Sequence, residues 1–312
     1  MRKNLVMVMD DIAAIKIAKD TTFALLLEGQ RRGYQLRYLN EDQLFLTGSS
    51  AQAHMRSLTV QDIAAGWYEL GAEETRALGP NDLVMMRADP PVDAGYLYAT
   101  YLLELAEKSG ARVVNKPRAL RDWNEKLAIA HFPELIPETL VTSSASRIRE
   151  FVKQREKAVL KPLDGMGGRG IFLAGASDPN LNVIIETLTA NGSQLAMAQQ
   201  FLPEIVAGDK RVLMVHGQPV PWMLARIPGA QDFRGNLARG ASSEGRPIGD
   251  AERKIAAAVG PFLVENGIEL AGLDVIGDRL TEINVTSPTC IRELDAQFGT
   301  NIAGDLFDAL EA

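Results

Sequence analysis

The chain is poor in the residues that carry nucleophilic and metal chemistry. Its 312 residues include one cysteine, Cys290, and three histidines, His54, His131 and His216. A lone thiol excludes a disulfide framework within the chain and is most simply read as belonging to a reducing, cytoplasmic setting. The histidines are far apart, and none stands at a zinc-ligand spacing, so histidine-centred metal or nucleophile chemistry is not expected. Positive charge is also short. Thirty-three Lys and Arg against 40 Asp and Glu leave a net charge of −7, which argues against a nucleic-acid partner, since binding to a phosphate backbone needs a basic footprint. No apolar run approaches the ~18 residues of a membrane span. Met1 to Asp10 lacks the long apolar stretch and cleavage site of a signal peptide, so neither a membrane nor an export route is expected. Internal repeats and low-complexity tracts are absent.

What is present is ordinary globular composition, with 46% hydrophobic and 23% charged residues. At about 150 residues per domain the length suggests two or three domains. The best cuts fall near residues 120 and 200, giving segments 1–120, 121–200 and 201–312. In the first segment Leu5 to Met9 reads as a buried strand, Thr21 to Arg32 as a helix stopped by Gly33, and Tyr34 to Leu39 as a strand. Asp82 to Arg87, Tyr96 to Ser109 and Arg112 to Asn115 repeat strand, helix, strand. That alternation predicts a parallel sheet with helices on its faces, which binds ligands beyond the strand C-termini. Asp10 and Arg87 fall at those ends, and they read equally well as solvated strand ends.

After Pro117 the texture changes. Arg118 to His131 reads as a helix, followed by strands at Thr139 to Thr142, Ala158 to Lys161, Ile171 to Ala174 and Leu195 to Phe201. Helices are expected from Ser146 to Arg155, Leu181 to Ala190 and Asp250 to Glu265. Gly165-Met166-Gly167-Gly168-Arg169-Gly170 matches G-x-G-x-x-G. The dinucleotide fingerprint needs a helix after it, whereas Ile171-Phe172-Leu173-Ala174 reads as a strand. The loop therefore suits a hairpin that covers phosphates with backbone N–H groups, with Lys161 just before it. A bare glycine-rich hairpin is the competing reading. No Walker-type P-loop is present.

Leu273 to Val285 is the most informative stretch. With Gly277-Asp278-Arg279 as a three-residue turn, Asp274 faces Glu282 and Asn284 follows on the same face. Leu273, Val275, Ile283 and Val285 form the opposite, core face. Carboxylates opposite one another repel, so something positive is expected between them. Two carboxylates and an amide oxygen suit a hard cation such as Mg²⁺; a nearby Lys or Arg serves as well. Arg226 and Arg234 lie in or beside a Gly-, Ser- and Pro-rich stretch near 229–249, which reads as a lid over an anionic substrate or as a surface insertion.

Taken in order, Lys126, Lys161 with its glycine loop, Asp274, Glu282 and Asn284 resemble the ATP-grasp superfamily. Met9-Asp10, Arg31 to Tyr34, Asp89-Pro90-Pro91, Val114 to Pro117, Asn124-Glu125-Lys126, Leu160 to Gly168 and Asp274 to Cys290 extend the resemblance, over nearly the whole chain, to the bacterial glutathione synthetases. The segment Thr286-Ser287-Pro288-Thr289-Cys290 is the most specific part of it.

The resemblance implies an N-terminal α/β domain followed by a two-lobed ATP-grasp domain. It implies ligation of γ-glutamylcysteine and glycine at the expense of ATP, with Mg²⁺ or Mn²⁺, in a homotetramer. By the same resemblance Lys126 and Lys161 contact phosphates, covered by Gly165, Met166, Gly167 and Gly168. Gln199, Phe201 and Leu202 line the adenine pocket, and Asp209 lies near the ribose. Asp274, Glu282 and Asn284 hold the metal. Arg211 and Arg226 stabilise the transferring phosphoryl group and the tetrahedral intermediate, Arg234 joins them as a catalytic residue from the family's flexible loop, and Asp10, Lys19, Arg87, Ser287 and Thr289 border the dipeptide. Cys290 is expected to be structural. Departures stand at Asp11, Arg169 and Gly240 to Ser243. A different carboxylate–amine ligase of the superfamily, a non-catalytic nucleotide binder and a nicotinamide enzyme are the rival readings.

Overall fold

A computed structural model describes residues 3–229, 235 and 242–312. The first segment begins with β1 (Asn4–Val8), α1 (Thr21–Arg31) and β2 (Gln35–Leu39). Three further strands follow, β3 (Leu44–Thr47), β4 (Ser50–Val60) and β5 (Tyr68–Ala77), then β6 (Asp82–Met86), α2 (Ala94–Lys108) and β7 (Arg112–Val114). β2, β1, β6 and β7 pair in parallel, as the strand–helix alternation predicts. Both faces of this part are covered, so Leu5, Val6, Met7 and Val8 are fully buried. Asp20 and Asp93 start the two helices by accepting hydrogen bonds from Phe23 N and Tyr96 N.

The sheet is mixed rather than purely parallel. β4 turns back antiparallel on β2, with β3 and β5 added to it. β5 (Tyr68-Glu-Leu-Gly-Ala-Glu-Glu-Thr-Arg-Ala77) is mostly exposed and polar, so it carries no apolar period to announce it. Its charged side chains suit an edge strand.

The chain then forms α3 (Pro117–Asp122), β8 (Thr139–Thr142), α4 (Ala145–Arg155), β9 (Lys157–Pro162), β10 (Phe172–Gly175), α5 (Leu181–Leu188) and β11 (Ala196–Gln200). Among the described residues these strands make a four-stranded sheet in the order β10-β9-β11-β8. Its core of Ile148, Val152, Leu160, Ile185 and Leu188 is a cluster of its own. The last segment holds β12 (Asp209–Val215), β13 (Gln218–Ile227), β14 (Ser242–Pro247), α6 (Asp250–Glu265), β15 (Leu270–Ile276), β16 (Arg279–Asn284), α7 (Ile291–Phe298) and α8 (Ile302–Glu311). Its five strands order as β14-β13-β12-β15-β16, all antiparallel. No helix among the described residues is long and apolar enough to cross a membrane.

Two expectations are corrected. The helix expected over Arg118 to His131 is broken: α3 ends at Asp122, and a short 3₁₀ turn occupies Ala128–His131. Between them Asn124 Oδ1 accepts from Lys126 N and Leu127 N, closing a side-chain turn that competes with helix. The Glu125 carbonyl meanwhile accepts from Ile283 N at 2.9 Å, a tertiary bond that no local propensity reports. The hairpin turn is also tighter than expected. Ile276 pairs with Arg279, leaving a two-residue loop at Gly277-Asp278, and Thr281 is the extra residue of a bulge. The two departures cancel, so Asp274 still faces Glu282.

Asn115 joins the first sheet to the third. Its Nδ2 donates to Leu270 O (2.8 Å) and Val285 O (2.7 Å), and its Oδ1 accepts from Glu269 N (2.9 Å) and Leu270 N (3.0 Å). That uses the full capacity of the amide in a buried place. Asn115→Ala is expected to lower stability by about 2–4 kcal/mol, since it strips partners from several buried backbone groups; denaturant unfolding measures this.

A second tie joins α1 to α8. Buried Glu28 accepts from Arg31 (2.6 and 2.7 Å) and Arg32 (2.6 Å), and Arg32 reaches Asp308 (2.6 Å) and Glu311 (2.7 Å). Hydrogen bonds from Arg31 first, with those from Arg32 and against the cost of burial, bring the Glu28 carboxyl down to about 2. A folded value below the unfolded one stabilises above the unfolded pKa, and the gain is lost as pH falls from about 4.5 through about 2. Glu28→Gln should therefore cost on the order of 2 kcal/mol at neutral pH, discounted for the exposed Arg31. The difference from the parent chain should close across that acid window in pH-dependent unfolding.

Candidate active site

The four-stranded sheet and the five-stranded sheet face each other across a cleft of about 660 Å³. β9 and β11 supply Lys161 and Gln199 from one side, and β15 and β16 supply Asp274 and Glu282 from the other. Phe201 and Leu202, where the chain crosses between the sheets, line the cleft with Ile171, Ile205 and Ile276. Apolar walls with a few convergent polar groups are the usual form of a small-molecule site. The apolar contributions of Ile171, Ile205 and Ile276 were not read from the sequence, because each looks like any core isoleucine.

The charged floor of the cleft is the opposed carboxylate pair. Asp274 is buried between two guanidiniums, also buried. Arg211 donates to it twice, through Nε (2.5 Å) and Nη2 (3.1 Å), and Arg226 Nη2 lies at 2.9 Å. β12, next to β15, carries Arg211, which is paired to Asp274 across the strands, and β13, one strand further, carries Arg226. Gly272 leaves room for the arginine: a Cβ there would meet Arg211 Cδ at 2.8 Å. Burial opposes ionisation of Asp274, yet the two guanidiniums outweigh it and hold the carboxyl well below the usual range. Asp209 shares Arg226 at 2.6 Å. There burial wins over the attraction of Arg226, with repulsion from Asp274 added, and pushes the carboxyl up to about 6.

Glu282 is met by ammonium groups instead. Lys161 Nζ lies at 3.3 Å and Lys126 Nζ at 3.8 Å from its Oε1. Burial raises the cost of its charge, but the two lysines prevail and lower its pKa. The positive partners expected between the carboxylates are thus two lysines and two arginines, from three strands and the turn after α3. Lys126 also donates to Gly165 O at 2.6 Å, which ties the glycine loop to this cluster. Gly167, Gly168 and Gly170 all have positive φ (60°, 75° and 67°), a region that side chains disfavour. A Cβ on Gly165 would strike Pro162 Cγ at 2.8 Å. The loop does join two strands, β9 and β10, which pair antiparallel.

A second cleft of about 1080 Å³ lies beyond Arg211 and Arg226. Met166, Gly167 and Asn284 line it, as do Lys19, Ser287 and Thr289. Arg87 is buried beside it and donates to Thr22 Oγ1 (3.1 Å) and Pro288 O (3.0 Å). It is therefore not a solvated strand end. Asp10 is exposed and reaches this region through Asp89, from whose N–H it accepts a hydrogen bond at 2.9 Å. Ser287 in turn donates to Asp89 Oδ1 at 2.5 Å. Arg234 lies outside the described residues. Asp20, Glu125 and Glu293 also line the cleft and were not singled out from sequence; acidic side chains in a −7 chain give no local signal. Cys290 is buried at the start of α7, and burial pushes its thiol up, in keeping with a structural role.

The oxygen set of Asp274, Glu282 and Asn284 is chemically suited to a hard divalent cation. Asp274 faces Glu282 across the strand pair, and Asn284 Nδ2 donates to Gly272 O at 3.2 Å, which leaves its Oδ1 as the acceptor. A cation held by few protein oxygens and completed by phosphate is the habit of Mg²⁺.

The family described as prokaryotic glutathione synthetase matches in two parts, its N-terminal domain over residues 4–121 and its ATP-grasp domain over residues 125–299. The glutathione synthetase of Xanthomonas campestris pv. campestris is 57% identical over 312 residues, covering 100% of this chain and 99% of its own. That of Escherichia coli O127:H6 is 53% identical over 305 residues, covering 98% and 96%. Among solved structures, D-cycloserine synthetase DcsG superposes with a TM-score of 0.66 at 14% identity, covering 98% of each chain. The ATP-grasp ligase PsnB, complexed with minimal precursor, Mg and ADP, gives 0.61 at 18% identity, covering 99% and 97%. At these identities the structural matches carry the fold alone, whereas the sequence matches run end to end. The chain belongs to the prokaryotic glutathione synthetase family of ATP-grasp ligases.

Proposed function

We propose that this chain joins L-γ-glutamyl-L-cysteine to glycine with ATP, giving glutathione, ADP and phosphate through an acyl phosphate. The observation that carries the reading is the convergence of Lys126, Lys161, Arg211 and Arg226 on the Asp274–Glu282 pair, between an apolar cleft and a polar one. Adenine belongs in the apolar cleft, against Gln199, Phe201 and Leu202, with Asp209 toward the ribose. The phosphates then run toward Lys126 and Lys161 under the backbone of Gly165 to Gly168. Asp274, Glu282 and Asn284 would hold Mg²⁺, which when bound neutralises phosphate charge at the site of transfer.

The dipeptide belongs in the second cleft, bordered by Lys19, Arg87, Ser287 and Thr289, with Asp10 behind Asp89. A cleft holding Lys19 together with Asp20 and Glu293 suits the zwitterionic head of a γ-glutamyl group. The cysteinyl carboxylate attacks the γ-phosphorus, and the bond to ADP breaks. Arg211 and Arg226 stand where charge gathers on the transferring group, and fixed cations in a dry site stabilise such charge without reorganising. The amine of glycine, having lost a proton, attacks the acyl carbonyl and phosphate leaves. The step requires no enzyme nucleophile, which accords with the scarcity of histidine and cysteine.

The test is ADP release in the presence of Mg²⁺, with each substrate omitted in turn. Release is expected to need both γ-glutamylcysteine and glycine, with glutathione as product, and to stop with chelator and return with added Mg²⁺. ATP turnover that ignores either substrate would overturn the reading. Glu282→Gln is expected to lower kcat by at least about 10²-fold, the scale of losing one fixed group at developing charge, and, because it leaves buried Lys126 and Lys161 uncompensated, to lower the unfolding midpoint as well.

A further inference from the structure

Glu125 lines the second cleft and is next in the chain to Lys126, whose ammonium faces Glu282 in the first. It lies in the break between α3 and the 3₁₀ turn, where the expected helix fails. Its carboxylate Oε1 accepts three hydrogen bonds, from Val285 N (2.9 Å), Thr286 N (3.0 Å) and Thr286 Oγ1 (2.8 Å). Its carbonyl accepts from Ile283 N at 2.9 Å. β16 ends at Asn284, so the N–H groups of residues 285 and 286 have run past the strand. Glu125 supplies the acceptor that a neighbouring strand would otherwise give. Thr286 is buried.

The residues on either side of Glu125 hold the opposite wall. Asn124 Nδ2 donates to Leu163 O at 3.0 Å, and Lys126 Nζ donates to Gly165 O at 2.6 Å while facing Glu282. Three consecutive residues therefore connect the glycine loop, the carboxylate hairpin and the segment Thr286 to Thr289 that lines the second cleft.

We propose that Glu125 is a positioning residue that sets the nucleotide side of the site in register with the dipeptide side. It acts through the backbone at 285 and 286. What it must provide is an acceptor oxygen at that place; neither negative charge nor a proton is needed. This inference rests on the ligase reading for its kinetic consequence but not for its structural one.

Three variants separate the possibilities. Glu125→Gln keeps an acceptor oxygen on a chain of the same length and is expected to lose no more than about threefold in kcat, the scale of a modest change in hydrogen-bond strength. Glu125→Asp withdraws the oxygen by one methylene, and Glu125→Ala removes it. Both are expected to lose about 10²-fold in kcat with a raised KM for the dipeptide, as a misplacement of about 1 Å can cost that much. Binding of a non-hydrolysable ATP analogue in the absence of dipeptide should shift less than about threefold in the same variants, because the lesion lies on the dipeptide side. Amide hydrogen exchange over residues 283–287 should quicken in Asp and Ala but not in Gln, a readout independent of turnover.

Two results would overturn the proposal. One is Glu125→Gln as inactive as Glu125→Ala with exchange over 283–287 as slow as in the parent, which assigns the residue to charge or proton transfer. The other is parental exchange and kinetics in Glu125→Asp. If Glu125→Ala does not fold, the Asp and Gln pair decides. A parent chain that makes no glutathione overturns the ligase reading, and the exchange measurement then judges Glu125 alone.

Discussion

Two carboxylates set opposite one another on adjacent strands repel, and the cleft is built around containing that repulsion. Asp274 and Glu282 cannot both stay ionised in a buried place without cations, and burial alone would neutralise them. The chain brings Arg211 and Arg226 to one and Lys126 and Lys161 to the other. Removing either side of such a cluster leaves the other uncompensated, which is costlier than the cluster is worth. The four cations come from β12, β13, β9 and the turn after α3, so the constraint draws both sheets to a single line. An arrangement that costs stability in this way is understandable where the same charges serve a reaction in which negative charge gathers and moves.

The way the sheets are joined serves the same end. The first and third sheets share buried core and the saturated amide of Asn115. The four-stranded sheet packs mainly on a core of its own. Across the cleft it meets the third sheet through Met197, which joins the shared core, and through polar contacts, Lys161 with Glu282 and, by way of the Asn124 to Lys126 turn, Leu163 and Gly165. Apolar packing is rigid and charge contacts are exchangeable, so this wall is held by groups that an anionic ligand can take over.

Much of the fold could be read from the residues because it rests on local pattern. Buried parallel strands show as short apolar runs, helices as periodic runs with Asp at the start and Gly after the end, and the glycine loop as positions where side chains do not fit. The opposed Asp274 and Glu282 came through even though the turn is one residue shorter than expected, because the Thr281 bulge restores the face. Strand alternation is a strong constraint: a slip of one residue would have turned the carboxylates into the apolar core and Ile283 toward the cleft. The resemblance to a family added the roles, which spacing alone left open.

Other features were settled only by contacts between distant parts. β5 shows no apolar period because, as an edge strand, its stability comes from β4 and not from burial. The helix beyond Asp122 breaks because backbone and side-chain groups of Asn124 and Glu125 find partners some 40 to 160 residues away, at Leu163 and at Ile283 to Thr286. A sequence displays the propensity of a segment, whereas a hydrogen bond formed across the molecule is worth more than that propensity and leaves no local trace. So the sequence determined which residue types line the site, and the tertiary structure decided which of them touch. The reason is physical: charge pairing and buried hydrogen bonds depend on distance in space, which only the packed chain sets.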